Sequence, residues 1–171
     1  MPRYVAFLCG VSPFNAKMPA LKSCFKGAGF ANVRFVLSSG NVVFDARAAS
    51  DATLELKAES AMQDALGRSF YTIVGRVDHL LALLQTNPCY TFTLPVNANR
   101  VVSFLREPRS SKLALTLESD GAQVLGNVGI EMFTAYVPSE NGPVFMKLIE
   151  KSFGTDVTTR TWQKVGKCAA A

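Results

Sequence analysis

The sequence has few of the residues from which metal sites are built. It contains a single histidine, His79, and its four cysteines, Cys9, Cys24, Cys89 and Cys168, include no pair separated by only two residues. A structural zinc site usually needs four such ligands at short spacings, so a zinc site is not expected. We predict no metal and no other cofactor, and we expect Cys24 to pack in the core.

Long apolar runs and a secretion signal are also lacking. The longest apolar runs span a few residues, whereas a membrane-spanning helix needs ~20. The N-terminus, MPRYVAFLCG, lacks the long apolar core of a signal peptide and instead indicates a first strand. These absences predict a cytoplasmic protein with reduced thiols and no membrane partner.

The chain carries none of the usual nucleotide-binding or catalytic motifs. It has no GxxxxGK[ST] run, no GxGxxG run and no paired carboxylates. Cys9 would need a nearby base to act as a nucleophile. The one candidate, His79, follows Asp78 on an amphipathic helix, where a surface position is expected. The sequence therefore favours a protein that is not an enzyme, while an enzyme of unknown class stays open.

The net charge is mildly positive. Eighteen Lys and Arg residues against thirteen Asp and Glu give +5. This excess permits an anionic partner, but no dense Lys/Arg cluster indicates a nucleic-acid surface. The segment GNVVFDA also lacks the aromatic spacing of an RNA-recognition motif. Nucleic acid is thus a weak candidate partner.

The clearest structural pattern is at Val33–Ala46, VRFVLSSGNVVFDA. Apolar residues occupy alternate positions on both sides of a polar segment: Val33, Phe35 and Leu37 before it, Val42 and Phe44 after it. This period of two predicts strands. Because Gly and Asn accept positive φ, we predict an antiparallel hairpin with its turn at Ser38–Asn41.

The first half of the chain is predicted to follow the order β-α-β-β-α-β. The hairpin is preceded by a strand at Tyr4–Leu8 and by a helix that begins near Pro19 and ends at Gly29. It is followed by a helix capped by Asp51, with Glu55 and Glu59 facing solvent, and by a strand at Phe70–Val74. This is the pattern of a ferredoxin-like domain.

The second half is predicted to repeat this order after a third helix that ends at Asn87-Pro88. The predicted elements are a strand at Arg100–Leu105, a short helix at Pro108–Ser119, a hairpin at Gln123–Leu125 and Ile130–Val137, a helix opened by Pro143, a strand at Asp156–Arg160 and a helical tail at Trp162–Cys168. We therefore predict an α+β fold of two ferredoxin-like (α/β-plait) domains packed together. Their bounds are 1–76 and 100–171, with a linking helix and connector at 77–99.

Four segments together resemble the Domain of Unknown Function 1697 family: Tyr4–Gly10, Met18–Phe30, Ser38–Phe44 and Thr158–Val165. Their order and spacing agree over nearly the whole chain. The resemblance implies paired α/β-plait domains of bacterial origin, and it implies no established activity.

The sequence departs from this family at two places. Cys9–Phe14 stands where the family usually has a loop of the type Arg-Gly-Ile-Asn-Val-Gly-Gly, so a positive charge and flexible backbone are missing there. Near the end, Arg160, Trp162 and Val165 are kept, with other residues between them. If the first loop binds an anion in relatives, this chain has lost part of that site.

Arg160 and Trp162 are the leading candidate ligand contacts. A guanidinium beside an aromatic plane can hold a phosphate, a carboxylate or a stacked base. The alternative is that the two side chains pack together at the domain seam. A lysine at the position of Lys147 is common in the resembled family, so Lys147 can join Arg160 in an anion pocket or can simply be solvated.

Ser39, Gly40 and Asn41 are weaker candidates. They can present backbone N–H groups to a ligand, but a turn needs such residues in any case. The first functional hypothesis is a protein that binds a small anionic or phosphorylated ligand, or nucleic acid, near the seam. The alternative is a protein-interaction or self-association module without catalytic activity.

Overall fold

The structure is a computed structural model that describes residues 1–88, 93–107, 118–119, 121–138, 140, 144–154 and 156–171. These residues contain five helices and two antiparallel sheets, which confirms the predicted α+β class. The chain divides into unit 1, Met1–Leu83 with Gly166–Ala171, and unit 2, Leu84–Val165. The domain bounds drawn from the sequence stay a prediction.

Unit 1 is built on a four-stranded sheet. Its elements are β1 (Arg3–Leu8), α1 (Met18–Gly27), β2 (Ala31–Val36), β3 (Ser38–Asp45), α2 (Asp51–Leu66) and β4 (Thr72–Arg76). The strand order is β2-β3-β1-β4, and every neighbouring pair is antiparallel. The predicted order of elements is confirmed. The next helix, α3 (Val77–Thr86), continues into unit 2.

Helices α1 and α2 cover one face of this sheet. Successive strand residues point to opposite faces, so alternate residues of β1 and β3, Tyr4 and Phe44 among them, form one core with Phe25 of α1 and Met62 of α2. Phe44 lies at its centre and stacks on Phe30 with ring centroids 4.3 Å apart. Cys24 is buried in the same core, as predicted.

The predicted hairpin is formed by β2 and β3, but its turn was misplaced. The turn is at Leu37, whose φ is 64°, and not at Ser38–Asn41. The next residue already pairs with Val36, and the register then shifts over residues 39–41. The side-chain amide of Asn41 donates to the carbonyl oxygen of Val36 over 3.0 Å and so bridges the register shift.

Helix α2 begins one residue earlier than predicted. Ser50 is its N-cap, and its hydroxyl accepts the backbone N–H of Thr53 over 3.2 Å. Asp51 is the first residue of the helix, so its assignment as the cap is wrong. Ser and Asp are nearly equivalent as caps, and the residue pattern alone could not choose between neighbours.

The expectation that Glu55 and Glu59 face solvent is also wrong. Glu55 is buried, and its Oε1 accepts the backbone N–H of Val74 over 3.0 Å. Oε1 of the half-buried Glu59 accepts the N–H of Thr72 over 2.9 Å. Four residues rise about 6 Å along a helix and two residues about 6.8 Å along a strand. The two carboxylates therefore match alternate N–H groups of the edge strand β4.

Unit 2 is built on a five-stranded sheet. Its elements are β5 (Asn99–Leu105), β6 (Glu118–Ser119), β7 (Ala122–Val128), β8 (Glu131–Tyr136), α4 (Val144–Phe153), β9 (Val157–Thr161) and the start of α5 (Trp162–Ala170). The strand order is β6-β7-β8-β5-β9. The second hairpin, the following helix, the last strand and the helical tail are confirmed.

One predicted helix of unit 2 lies mostly outside the described residues. Of Pro108–Ser119, the structure describes only the last two residues, and these form β6, so the helix prediction is wrong there. Residues 118 and 119 pair with Gln123 and Ala122 of β7. Pro143, predicted to open α4, also lies outside the described residues.

Helix α4 covers one face of the second sheet. Leu148, Ile149 and Phe153 pack on a face that includes Val101 of β5 and Met132 of β8. The next residues along these strands, such as Val102 and Phe133, point to the opposite face and are buried too. This alternation decides on which side each residue of β9 lies.

Candidate functional site

A pocket of about 230 Å³ lies in unit 2 at the beginning of α5. Strands β5 and β9 are antiparallel, with Val101 opposite Thr161. Residues just before Val101 and just after Thr161 therefore meet at one end of the sheet. The lining residues come from these two segments: Ala98, Asn99 and Arg100 from the first, Thr161, Trp162 and Gln163 from the second.

The guanidinium of Arg100 lies over the indole of Trp162. Its Cζ is 5.2 Å from the ring centroid, which is a cation–π distance. Its Nη1 donates to Oδ1 of Asn87 over 3.3 Å. The indole in turn meets the ring of Phe133 at 66°, with centroids 6.3 Å apart. The half-buried Arg100 is thus held by a stacking surface and a hydrogen bond.

Apart from Arg100 and Trp162, the residues that line the pocket are mostly polar, and none carries a negative charge. None of the six lining residues has a carboxylate, and the first turn of α5 has no acidic residue. Oγ1 of Thr161 accepts the N–H of Lys164 over 3.3 Å and so caps the helix. The N–H groups at a helix start carry partial positive charge. Together with Arg100, they give the pocket a positive electrostatic potential, which suits an anion.

Arg160, the leading residue of the sequence-based hypothesis, lies in β9 opposite Val102. It is half-buried. Its Nη1 donates to Oγ1 of Thr158 over 2.7 Å and to the carbonyl oxygen of Thr159 over 2.9 Å. The cation described over Trp162 is Arg100, and the predicted pairing of Arg160 with Trp162 stays a prediction.

Lys147 is exposed on α4. That helix covers the face of Val101, whereas Arg160 shares the opposite face with Val102. The sheet of unit 2 lies between the two side chains. The structure therefore does not bring Lys147 and Arg160 together in one pocket.

The other predicted contacts, Ser39, Gly40 and Asn41, belong to β3 of unit 1. Asn41 is buried and is bonded to β2, and Gly40 is half-buried. Their suggested role in ligand binding stays a prediction. The structural role of Asn41, which holds the register shift, is directly visible.

Sequence reasoning missed Arg100 and its neighbours Asn99 and Gln163. Gln163 lies about sixty residues after Asn99 and Arg100 in the chain, and only the pairing of β5 with β9 makes it their neighbour. One signal could have found them. In a β-α-β-β-α-β unit the first strand lies beside the last, as β1 and β4 do in unit 1. Residues at the start of the first strand then meet those that follow the last.

The described residues offer little for metal or thiol chemistry. Within them, no group of three or more His, Cys, Asp or Glu side chains is placed to hold a metal ion. His79 is exposed, as expected, and Cys9 is half-buried. Burial raises the pKa of the Cys24 thiol, which keeps it protonated. None of the helices in this part of the chain is long and apolar enough to cross a bilayer.

Comparison with known proteins places the chain in a family. The structure is similar to that of a conserved bacterial protein from Streptococcus pneumoniae, with a TM-score of 0.73 and 19% identity over 99% of this chain and 97% of that one. At this identity the likeness shows a shared fold. No curated protein matches the sequence. The profile of a family described as "Protein of unknown function (DUF1697)" matches residues 1–132. Since this is well over half of the chain, the protein belongs to the DUF1697 family.

Proposed function

We propose that the protein binds a small anion, a carboxylate or a phosphate ester, in the pocket of Arg100 and Trp162. One observation carries the proposal: a guanidinium fixed over an indole ring lines a pocket of about 230 Å³ that has no carboxylate in its lining. A guanidinium presents a planar fork of donors that matches a carboxylate or a phosphate.

The way in which Arg100 is held leaves this fork available. Its cation–π contact with Trp162 occupies none of its N–H donors in a hydrogen bond, and its bond to Asn87 uses one N–H group. The other N–H groups lie in the plane of the fork. Because its position is already fixed, little conformational entropy is lost when an anion binds.

The proposal refines the sequence-based hypothesis of an anion site at Arg160, Trp162, Lys147 and Ser39–Asn41. Trp162 is the member of that set that lines the pocket. We also propose that both units are ferredoxin-like plaits. The strand order β2-β3-β1-β4 supports this, and so does the order β7-β8-β5-β9 once the two-residue strand β6 is set aside, because each places the first strand between the third and the last. We further propose that the protein acts in the cytoplasm as a binding protein without catalytic activity.

Titration followed by tryptophan fluorescence tests the anion site. Trp162 is the only tryptophan of the chain, so its emission reports directly on the pocket. The panel contains inorganic phosphate, sugar phosphates, nucleotides and small dicarboxylates. Calorimetry replaces fluorescence for the ligands that absorb ultraviolet light. Arg100→Ala is expected to weaken binding about 10-fold to 150-fold, which corresponds to one lost charge-assisted hydrogen bond of ~1.5–3 kcal/mol. The affinity of Arg100→Lys should lie between those of the parent and Arg100→Ala, since lysine keeps the charge without the fork of donors.

Arg47→Ala is the matched control, because it removes an exposed arginine from unit 1. A panel in which no anion binds, or binding that Arg47→Ala and Arg100→Ala weaken equally, would exclude the pocket. If light scattering then showed concentration-dependent association, the interaction-module alternative would take its place.

A further inference from the structure

The positive charge of this protein is concentrated at one end of the chain. The first acidic residue is Asp45, and residues 1–44 carry five Lys and Arg side chains. The other thirteen basic residues are balanced by thirteen acidic ones. The whole net charge of +5 therefore arises within the first 44 residues, and such asymmetry is typical of proteins that meet a polyanion.

Two of these five cations share one face of α1, and a third lies at its N-cap. Lys17 precedes the helix, and Lys22 and Lys26 follow Met18 at intervals of four residues. Side chains four residues apart share a helix face and lie about 6 Å apart along the axis. All four side chains are exposed. Neither ion pair found among the described residues involves a lysine of this group.

An exposed aromatic ring lies in the loop that precedes these lysines. Phe14 lies in the loop before α1, and its side chain is 100% exposed. The loop is nevertheless well fixed, since the side chain of Asn15 accepts the N–H of Ser12 and donates to the carbonyl oxygen of Gly10, each over 2.8 Å. The backbone N–H of Ala16 also donates to Ser12, over 3.1 Å. The ring is held out in water on an ordered loop.

We propose that this surface, Phe14, Lys17, Met18, Lys22 and Lys26, binds single-stranded nucleic acid. We call it the α1 strip. Its lysines contact the phosphates, and Phe14 stacks on a base, which is the combination that sequence-independent single-strand binding uses. A duplex hides the faces of its bases and offers Phe14 no partner.

The composition of the strip also argues against a lipid surface as its occupant. Even a single myristoyl chain gives only marginal membrane binding. Phe14, with the half-exposed Met18, offers less apolar surface than such a chain. An acidic protein segment would satisfy the lysines but has no general need for a protruding ring. Single-stranded nucleic acid accounts for both parts of the strip.

Fluorescence anisotropy with labelled oligothymidylate and oligoadenylate, at several salt concentrations, tests the proposal. With three lysines on phosphates, the slope of log affinity against log salt should be about −2, since each contact contributes about −0.7 on single strands. Lys22→Ala combined with Lys26→Ala should make the slope shallower by about 1.4. Phe14→Ala should weaken binding about 5-fold to 150-fold at every salt concentration and leave the slope unchanged.

Two control variants match these changes elsewhere on the surface. Lys147→Ala with Lys151→Ala removes two exposed lysines at the same spacing from α4. Leu56→Ala removes an exposed apolar side chain from α2. Both should bind the oligonucleotides like the parent protein, and the same labelled strand in a duplex should bind more weakly.

Several results would overturn the proposal. Absence of oligonucleotide binding at low salt is one. Another is an equal loss of affinity in the double lysine variants of α1 and α4. Equal affinity for duplex and single strand, with no effect of Phe14→Ala, would mean non-specific attraction. Sedimentation with phosphatidylserine vesicles, without oligonucleotide binding, would assign the strip to membranes.

Discussion

At the scale of single residues, Trp162 keeps a cation in place at the edge of the pocket. A half-buried guanidinium loses part of its hydration, which costs free energy unless other groups replace the water. The indole face and the amide oxygen of Asn87 supply that replacement for Arg100. A cation–π contact of this kind is worth ~0.5–2 kcal/mol. The same two contacts restrict the rotamers of Arg100 and so prepare it for an anion.

Arg76 and Asp78 form a second charge contact, at the junction of β4 and α3. Nε of Arg76 donates to Oδ1 of Asp78 over 2.9 Å. This hydrogen bond lowers the pKa of the Asp78 carboxyl below its usual value of 3.8. A carboxyl whose pKa is lower in the folded state adds stability above its unfolded pKa, and this stability is lost as the pH falls through the folded value.

Asp78→Asn is therefore expected to lower stability slightly at neutral pH and not at all once the parent carboxyl is protonated. The effect is small because both side chains are exposed. Urea midpoints of parent and variant, measured from pH 7 down to strongly acid solution, check this. Asp64→Asn on the exposed face of α2 is the control. A difference that persisted unchanged in acid would show that the charge of Asp78 is not its cause.

At the scale of elements, α2 protects an edge of the first sheet. Strand β4 is an edge strand, and its outward N–H groups would otherwise be open to another chain. Glu55 and Glu59 accept two of them. The helix therefore contributes to the sheet in two ways, through the apolar residues Leu54, Ala58 and Met62 and through the two carboxylates.

Glu55→Ala should destabilise the protein by ~1–3 kcal/mol, because it leaves the N–H of Val74 buried without this acceptor. Glu55→Gln should cost much less, since its amide oxygen can still accept. Urea unfolding measures the loss, and hydrogen exchange should show faster exchange at the Val74 amide. Asp64→Ala on the same helix is the control. A loss no larger than in that control would contradict a role for Glu55 at the strand edge.

At the scale of the whole molecule, the chain ends in the unit in which it began. Gly166–Ala171 belongs to unit 1, although it follows unit 2 in the sequence. Nη1 of Arg3 donates to the carbonyl oxygen of Ala171 over 2.7 Å, and Cys168 and Ala169 are buried. The first strand and the last residue of the described structure are therefore tied together within one unit.

Removal of residues 166–171 should destabilise unit 1. The charged hydrogen bond of Arg3 alone is worth ~1.5–3 kcal/mol, and each kcal/mol lowers the melting temperature of a chain of this size by ~2–4 °C. Thermal melts should thus shift down by several degrees, and hydrogen exchange should rise in β1. Ala170→Ser, an exposed change in the same helix, should leave both unchanged. Unaltered exchange in β1 after truncation would contradict this account.

The sequence predicted those elements whose cause is local. The alternation through Val42 and Phe44 and the apolar stripe of α1 are properties of neighbouring residues, so the strands and helices of unit 1 were found in order. The misassigned details depend on distant residues. Glu55 looked solvent-exposed because its partner lies nineteen residues away on β4. The turn was predicted at Ser38–Asn41 and not at Leu37, because the bond from Asn41 to Val36 that accompanies the register shift forms only once the strands pair.

The sequence by itself determined the α+β class, the order of the elements in unit 1 and the family of this protein, because hydrophobic periodicity and turn residues act over short distances. Only the tertiary structure decided which charges meet. It placed Arg100 over Trp162 and separated Lys147 from Arg160 by a sheet. Strand pairing sets such contacts, and a strand's partner is chosen by the packing of the whole unit.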